Sequence, residues 1–317
     1  MKDLLISVGD PAHPGLLDRD KVVSDIREHF KPWCNLIQDV TNYGSNLIPR
    51  CFVSSERQLK DAVILAILLR QVVAMLDGVD ILLSNGACHV SQLPVRALFE
   101  ASVYIEWILQ ADSERKALYY YVHNLRRMRL WARRAQAGSP ESEAFMAATR
   151  KYAFQLTDDV RSSSKRQLEQ IDNVLSQLKF AEVNADFDRC RKGRKHDPAW
   201  YVPLGPRTLR ALAEAVDKVS EYLILYSPAS DVMHGSSYER HVAIGKGEIT
   251  FQPIRSLEGF ETVLRFSVGD AFATYRRILQ EYRPGELPAF GRKYLEKWQQ
   301  AFLHFPPIKY EVKSIRI

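Results

Sequence analysis

Apolar residues recur at three- and four-residue spacing through most of the chain, with charged residues between them. That period is helical, because a helix turns once every ~3.6 residues. DRDKVVSDIREHFKPWCNLIQDV (18–40) shows it, broken near Pro32. SSERQLKDAVILAILLRQVVAMLDG (54–78) predicts a helix capped by Ser54 or Ser55 and stopped by Gly78. Pro94 opens the next predicted helix, VRALFEASVYIEWILQA, and Ser113 caps the one ending near Gly138. Ser139-Pro140-Glu141 places cap, proline and acid in the order of a helix start. A long polar helix is expected over about 155–180, a charged loop over 181–206, and a strong helix from Gly205-Pro206 to about Tyr226.

Alternation replaces the helical period in HVAIGKGEITFQPI (241–254), which reads as a β-hairpin around Gly245-Lys246-Gly247. Helices return over 256–282 and about 288–303. The tail IKYEVKSIRI alternates like a strand that could pair with LLISV (4–8). The expected fold is all-α: an antiparallel helical bundle with a small β-hairpin and terminal strands. One helical domain is expected, with 1–53 an N-terminal extension, 54–240 the core bundle, and 241–317 the hairpin and C-terminal helices.

The 317 residues suffice for a sizeable core. A formal charge of +6 permits contact with phosphates without demanding it. Cys34, Cys51, Cys88 and Cys190 share no CxxC spacing, which argues against a disulfide framework or zinc knuckle and for a reducing cytoplasm. No secretory signal is expected at the start. Residues 61–83 are the most apolar stretch, but Arg70, Asp77 and Asp80 interrupt it, so a buried helix is expected rather than a membrane span.

Three polar groups stand out. Arg96 and Glu100 are four apart on an apolar helix, with Tyr104 continuing their face. Buried, they must be paired. The plainer reading is an ion pair that fixes helix register; the functional one is a guanidinium aimed into a pocket. The second group is SPASDVMHG (227–235). Ser227 and Pro228 read as cap and first turn of a short helix, and Gly235 as its stop. Ser230, Asp231 and His234 can then share a face, with His234 a candidate acid/base. A structural histidine in a capped turn is the plainer reading. No G-x-S-x-G elbow or E-x-x-H pair accompanies them, so neither a hydrolase triad nor a di-iron site is expected. The third group is RCRKGRKHD (189–197), where Arg191, Arg194 and His196 are candidate phosphate contacts, or else a solvated charge run. HNLRRMRLWARR (123–134) adds a second basic stripe.

Arg96-x3-Glu100, Trp200 before a helix start, Tyr222 and Tyr226, then Ser230 and His234-Gly235-Ser236 resemble an uncharacterised bacterial helical family, over roughly residues 60–240. That family is recognised by its R-x3-E helix and a later Y…S…H-G-S segment. Its bundle character resembles, more distantly, the HEPN proteins, many of them ribonucleases of bacterial toxin or antiviral systems. Arg191-x4-His196 matches their R-x4-H spacing but sits in a polar excursion rather than on a core helix.

These readings lead to a nucleic-acid-directed enzyme, an RNase-like toxin or defence effector. His234 moves protons, Arg96 stabilises phosphate charge and Glu100 orients Arg96. Ser230 and Asp231 support His234, and Tyr226, Tyr104, Arg191, Arg194 and His196 contact substrate. Helix 94–111 and segment 222–236 are expected to be neighbours. RNA or another phosphate-bearing ligand is the expected partner, without metal, cofactor or membrane; a homodimer is allowed. The alternative is a non-enzymatic binding module whose polar cluster is structural.

Overall fold

The computed structural model describes residues 17, 19–52, 61–152, 155–194, 196–245, 248–305 and 315–316. Helices dominate them, so the all-α class holds. In chain order they are α1 (Arg19–His29), α2 (Lys31–Phe52), α3 (Ala62–Leu83), α4 (Cys88–Gln110), α5 (Ser113–Arg134), α6 (Pro140–Thr149), α7 (Asp158–Ser176), α8 (Leu178–Arg191), α9 (Leu209–Ala215), α10 (Val219–Glu221), α11 (Ser227–His234), α12 (Phe260–Tyr282), α13 (Leu287–Lys293) and α14 (Gln299–Leu303). The chain divides into two compact units, residues 1–107 with 212–317, and residues 108–211.

In the first unit α2, α3 and α12 pack on one another. Each lays an apolar stripe into the contact: Val40 and Leu47 from α2, Leu65, Leu69 and Leu76 from α3, and Val268, Ala271 and Leu279 from α12, all with no exposed surface. Residues 1–53 are expected from the sequence to form an extension, yet α2 is part of this core. α3 is long and apolar enough to cross a membrane by length and composition; here one face is buried against α2 and α12.

Gly44 lets α2 approach its neighbours closely. A methyl group there would overlap the Tyr275 ring and hydroxyl and lie 2.8 Å from Val73 Cγ2. Gly44→Ala gains about 1 kcal/mol of helix propensity, but overpacking costs about 1–3 kcal/mol. Tyr275 sits in a closed core and cannot swing aside, so a net loss of stability is expected in urea denaturation. An unchanged midpoint would mean the helices separate freely here.

Several expected boundaries moved. Gly78 does not end α3, because Val79 and Leu83 continue its buried face; the helix gives way before Gly86, at φ 68°. Pro94 lies inside α4, which starts earlier at Cys88 and buries Cys88 and Ser91. Ser54 and Ser55 lie outside the described residues. Ser113 is the first residue of α5, and Asp112 precedes it without a side-chain cap bond.

β1 (Val242–Gly245) pairs antiparallel with β2 (Glu248–Phe251), in register from Val242–Phe251 to Gly245–Glu248. β3 (Ile315–Arg316) pairs with β2. The tail was expected to pair with residues 4–8, which lie outside the described residues.

In the second unit α5 packs on α6, α7 and α8. Tyr119, Val122 and Leu125 are buried from α5, Ile171 and Leu175 from α7, and Val183 and Phe187 from α8. Ser139 caps α6 as its cap–proline–acid order implies, accepting from Ser142 N at 3.1 Å. Residues 181–191 were expected in a loop but form most of α8, because Val183 and Phe187 supply a buried helical stripe among the charges.

Candidate functional site

The predicted neighbours, α4 and segment 222–236, do meet in the first unit. Arg96 Nη2 donates to the Tyr226 hydroxyl at 2.8 Å, and the guanidinium lies over the Tyr226 ring, 4.1 Å from its centre. The same hydroxyl donates to Glu100 Oε2 at 3.4 Å, and Tyr104 donates to Glu100 Oε1 at 2.6 Å. Among the described residues Arg96 and Glu100 form no direct ion pair; the phenol stands between them. Burial and the nearby Glu100 push Tyr226 up to about 12, so it keeps its proton and its donor role. Tyr222 stacks on Tyr226 at 5.1 Å. Arg96 Nη1 is buried with no hydrogen-bond partner among the described residues.

The helix expected over 205–226 breaks at Asp217, whose φ is 57°. Lys218 N then bonds back to Ala213 O at 2.7 Å, and its side chain turns inward to Asp270. Beyond it α10, a π-helical turn (Tyr222–Tyr226) and α11 run on as one helix. Ser227 was expected to cap a new helix. Instead Tyr226 and Ser227 both have helical angles, and Ser227 N donates to Tyr222 O in the five-residue π pattern. Pro228 explains the wide turn. A proline inside an α-helix lacks the N–H and clashes with the carbonyl four residues back; a π turn moves that carbonyl away. Gly235 ends α11 at φ 68°, a conformation that glycine adopts without a Cβ penalty.

His234 and Asp231 are exposed at the end of α11 and Ser230 is half-buried. Among the described residues none of the three hydrogen-bonds to the Arg96 group; Asp231 instead accepts from Ser236 Oγ at 3.1 Å. Arg96, Glu100, Tyr226, Ser230, Asp231 and His234 are expected from the sequence to converge; hydrogen bonds join only Arg96, Glu100 and Tyr226 of these, with Tyr104 added.

The H-G-S segment delivers a different residue. Ser237 is buried, with its Oγ 3.4 Å from His89 Nε2 and 3.3 Å from His241 Nε2. The two imidazoles meet edge to face at 5.3 Å. His89, Gln92, Arg96 and Glu100 fall on one face of α4, a polar stripe on an apolar helix. His89 and Gln92 line a cavity of about 150 Å³ with Pro228, Arg240, Gln252 and Glu258. Ser256 N bonds to Gly86 O at 2.9 Å and fixes one wall. Burial lowers the His89 pKa, and the facing His241 and Arg240 lower it further against Glu258, so its neutral form is favoured. Neither histidine is singled out by a sequence motif, although His89 lies two helical turns before Arg96 and His241 four residues after Ser237.

In the second unit the two basic stripes come together. Arg126 on α5 is buried; Nε and Nη2 grip Asp197 at 2.8 and 2.9 Å, Nη2 reaches Asp188 at 2.9 Å, and Nη1 reaches Asn184 Oδ1 at 2.5 Å. Burial works against its charge, but the two carboxylates prevail and raise its pKa. Beside this network Arg127, Arg133, Arg191 and His196 line a cavity of about 420 Å³. Thus Arg191 and His196 do share a concave surface. Arg194 is exposed, its N–H on Arg191 O at 2.7 Å, and it does not line that cavity.

Among the described residues no three His, Cys, Asp or Glu side chains group as a metal site would require. No curated protein and no solved structure matches the chain. A family of unknown function, DUF5677, does match, over residues 61–248, which takes in α4, the Tyr226 turn and the His–Ser–His contact. The chain therefore belongs to the DUF5677 family.

Proposed function

We propose that the protein is an RNA-directed phosphodiesterase of RNase type, with its acid/base pair at His89 and His241 rather than at His234. The observation that carries this reading is Ser237 Oγ bridging the two Nε2 atoms beside a cavity that Arg240 lines. Two imidazoles a few ångströms apart can serve both ends of a phosphodiester without a metal. Neutral His89 takes the proton of a ribose 2′-hydroxyl, whose oxygen attacks phosphorus. The P–O5′ bond breaks, and protonated His241 gives its proton to the departing 5′-oxygen. The products are a 2′,3′-cyclic phosphate and a 5′-hydroxyl. Arg240, which pairs with Glu258 at 3.2 Å, is the nearby cation for the charge on the phosphoryl oxygens. Arg96, held by Tyr226, keeps α4 and the π turn in register so that His89 meets Ser237. The four cysteines are free, which supports a reducing, cytoplasmic setting.

General acid–base groups of this kind contribute about a hundredfold or more each. His89→Ala and His241→Ala are each expected to lower RNA cleavage at least about a hundredfold, and His234→Ala to leave it near the wild-type rate. The pH–rate profile should be bell-shaped. Its acid limb, where His89 gains a proton, falls below the ordinary 6.5. Cleavage that survives both substitutions but is lost in His234→Ala would return the chemistry to α11.

A binding module without catalysis is the second reading. It is favoured by how far Arg96, Tyr226, Glu100 and Tyr104 satisfy one another. Wild-type protein that binds RNA but leaves it intact would select it.

A further inference from the structure

We infer that the basic cavity of the second unit is a separate binding site for a phosphate monoester carried by a nucleotide. Its arginines do not all have carboxylates of their own. Arg126 holds both oxygens of Asp197 and one of Asp188. Arg129 is matched by Asp172 at 2.7 Å and Arg133 by Glu141 at 3.2 Å. Arg127 has no ion pair among the described residues. Arg191 is 3.8 Å from an Asp197 oxygen that Arg126 already occupies. Two guanidinium groups thus face one cavity with charge left over, and a dianionic monoester matches two such cations.

The surroundings are built for an anion as well. Burial and the nearby Arg127 hold His123, on the cavity wall, below its ordinary pKa, against the pull of Asp197 and the Pro198 carbonyl. Burial is the larger cause, and Arg127 adds to it as a cation facing the same wall. The Arg126 network fixes the walls: it ties α5 to Asn184 and Asp188 on α8 and to Asp197 beyond it, so Arg127 and Arg191 are presented from braced elements. Leu130, Pro198 and Ala199 give one apolar side. At about 420 Å³ the cavity has room for the sugar and base behind the phosphate. The cleavage proposed above leaves a 5′-hydroxyl, so this ligand is not its product, and the inference stands without that reaction.

A phosphate monoester can come from a free mononucleotide or from the 5′ end of a strand. Fluorescence anisotropy with a labelled 5′-phosphorylated oligoribonucleotide and its 5′-hydroxyl twin separates the site from general RNA affinity. The phosphorylated strand is expected to bind at least about tenfold tighter, a hydrogen bond to a charged group contributing that much. Arg127→Ala and Arg191→Ala should each remove that preference. Lys165→Ala, an exposed cation outside the cavity, should keep it. Displacement by adenosine 5′-monophosphate identifies a mononucleotide as sufficient; binding that it does not displace identifies the strand end. Equal affinity for the two strands, or equal losses in Arg127→Ala and Lys165→Ala, would overturn the inference. Either result leaves the His89 and His241 measurements untouched, so the two proposals fail separately.

Discussion

Arg126→Met is expected to destabilise residues 108–211 by about 3–5 kcal/mol, the cost of breaking a buried ion pair from one side. The methionine keeps the aliphatic volume and the contact with Phe187, so little of the loss comes from packing. What it removes is the set of bonds to Asp197, Asp188 and Asn184. Asp197, with 19% of its side chain exposed, is then left nearly unpaired. The loss should be read in urea denaturation and in amide exchange of α5 and α8. A pH signature accompanies it. Burial alone would raise Asp197, but the Arg126 hydrogen bonds and charge override it and hold the pKa below 3.8. A carboxylate lowered by folding adds stability above its unfolded pKa and loses it as pH falls through the folded value. Wild type should therefore weaken with acid below about pH 4, and Arg126→Met should lose that part of the slope. A cost under about 1 kcal/mol would mean water replaces the guanidinium.

Lys218→Met is expected to cost a similar amount in the first unit, about 3–5 kcal/mol at neutral pH, with the opposite pH dependence. Lys218 Nζ lies 2.7 Å from Asp270 Oδ1, and their side chains are 10% and 8% exposed. Burial raises Asp270; Lys218 opposes this, and Glu221 adds to it. Glu106 and Arg277 also face the pair, and burial raises Glu106 too. An acid raised by folding adds stability that is complete below its unfolded pKa and lost as pH climbs through the folded one. Without Lys218 the folded pKa climbs further, so the variant should be far weaker than wild type at pH 7 and approach it near pH 4. Asp270→Asn in the Lys218→Met background should restore much of the loss, because it removes the stranded charge. If the double variant is as weak as Lys218→Met alone, the damage is one of shape rather than charge.

Local features of this fold were legible and distant ones were not. The helical class follows from period alone. The start of α6 at Ser139 and the stop of α11 at Gly235 involve only chain neighbours. Lys218 shows the limit: residues 209–226 have an unbroken helical pattern, and the break comes from Asp270 on α12. The same holds for Arg126, whose partners on and after α8 turn an apparent loop into packed structure. At the site, the R-x3-E pair and Tyr226 were found because their residue types are unusual on an apolar helix. Ser237 was passed over because a serine after a glycine resembles any turn residue, and only His89, 148 positions away, gives it meaning. The His89–Gln92–Arg96–Glu100 stripe is readable as one helical face from spacing alone, and it leads from Arg96 to the His89–Ser237 contact.

The π turn at Tyr222–Tyr226 has a consequence for descent. A helix with one such turn holds one residue more than an α-helix making the same contacts, and each residue rotates the chain by ~100°. Losing an exposed residue such as Leu223 would close the turn to α geometry and drive the Pro228 ring onto a backbone carbonyl. Proline at 228 and the extra residue are thus bound to each other. In relatives, a one-residue gap within 222–226 should appear together with a residue other than proline at 228, and the two changes should rarely occur apart.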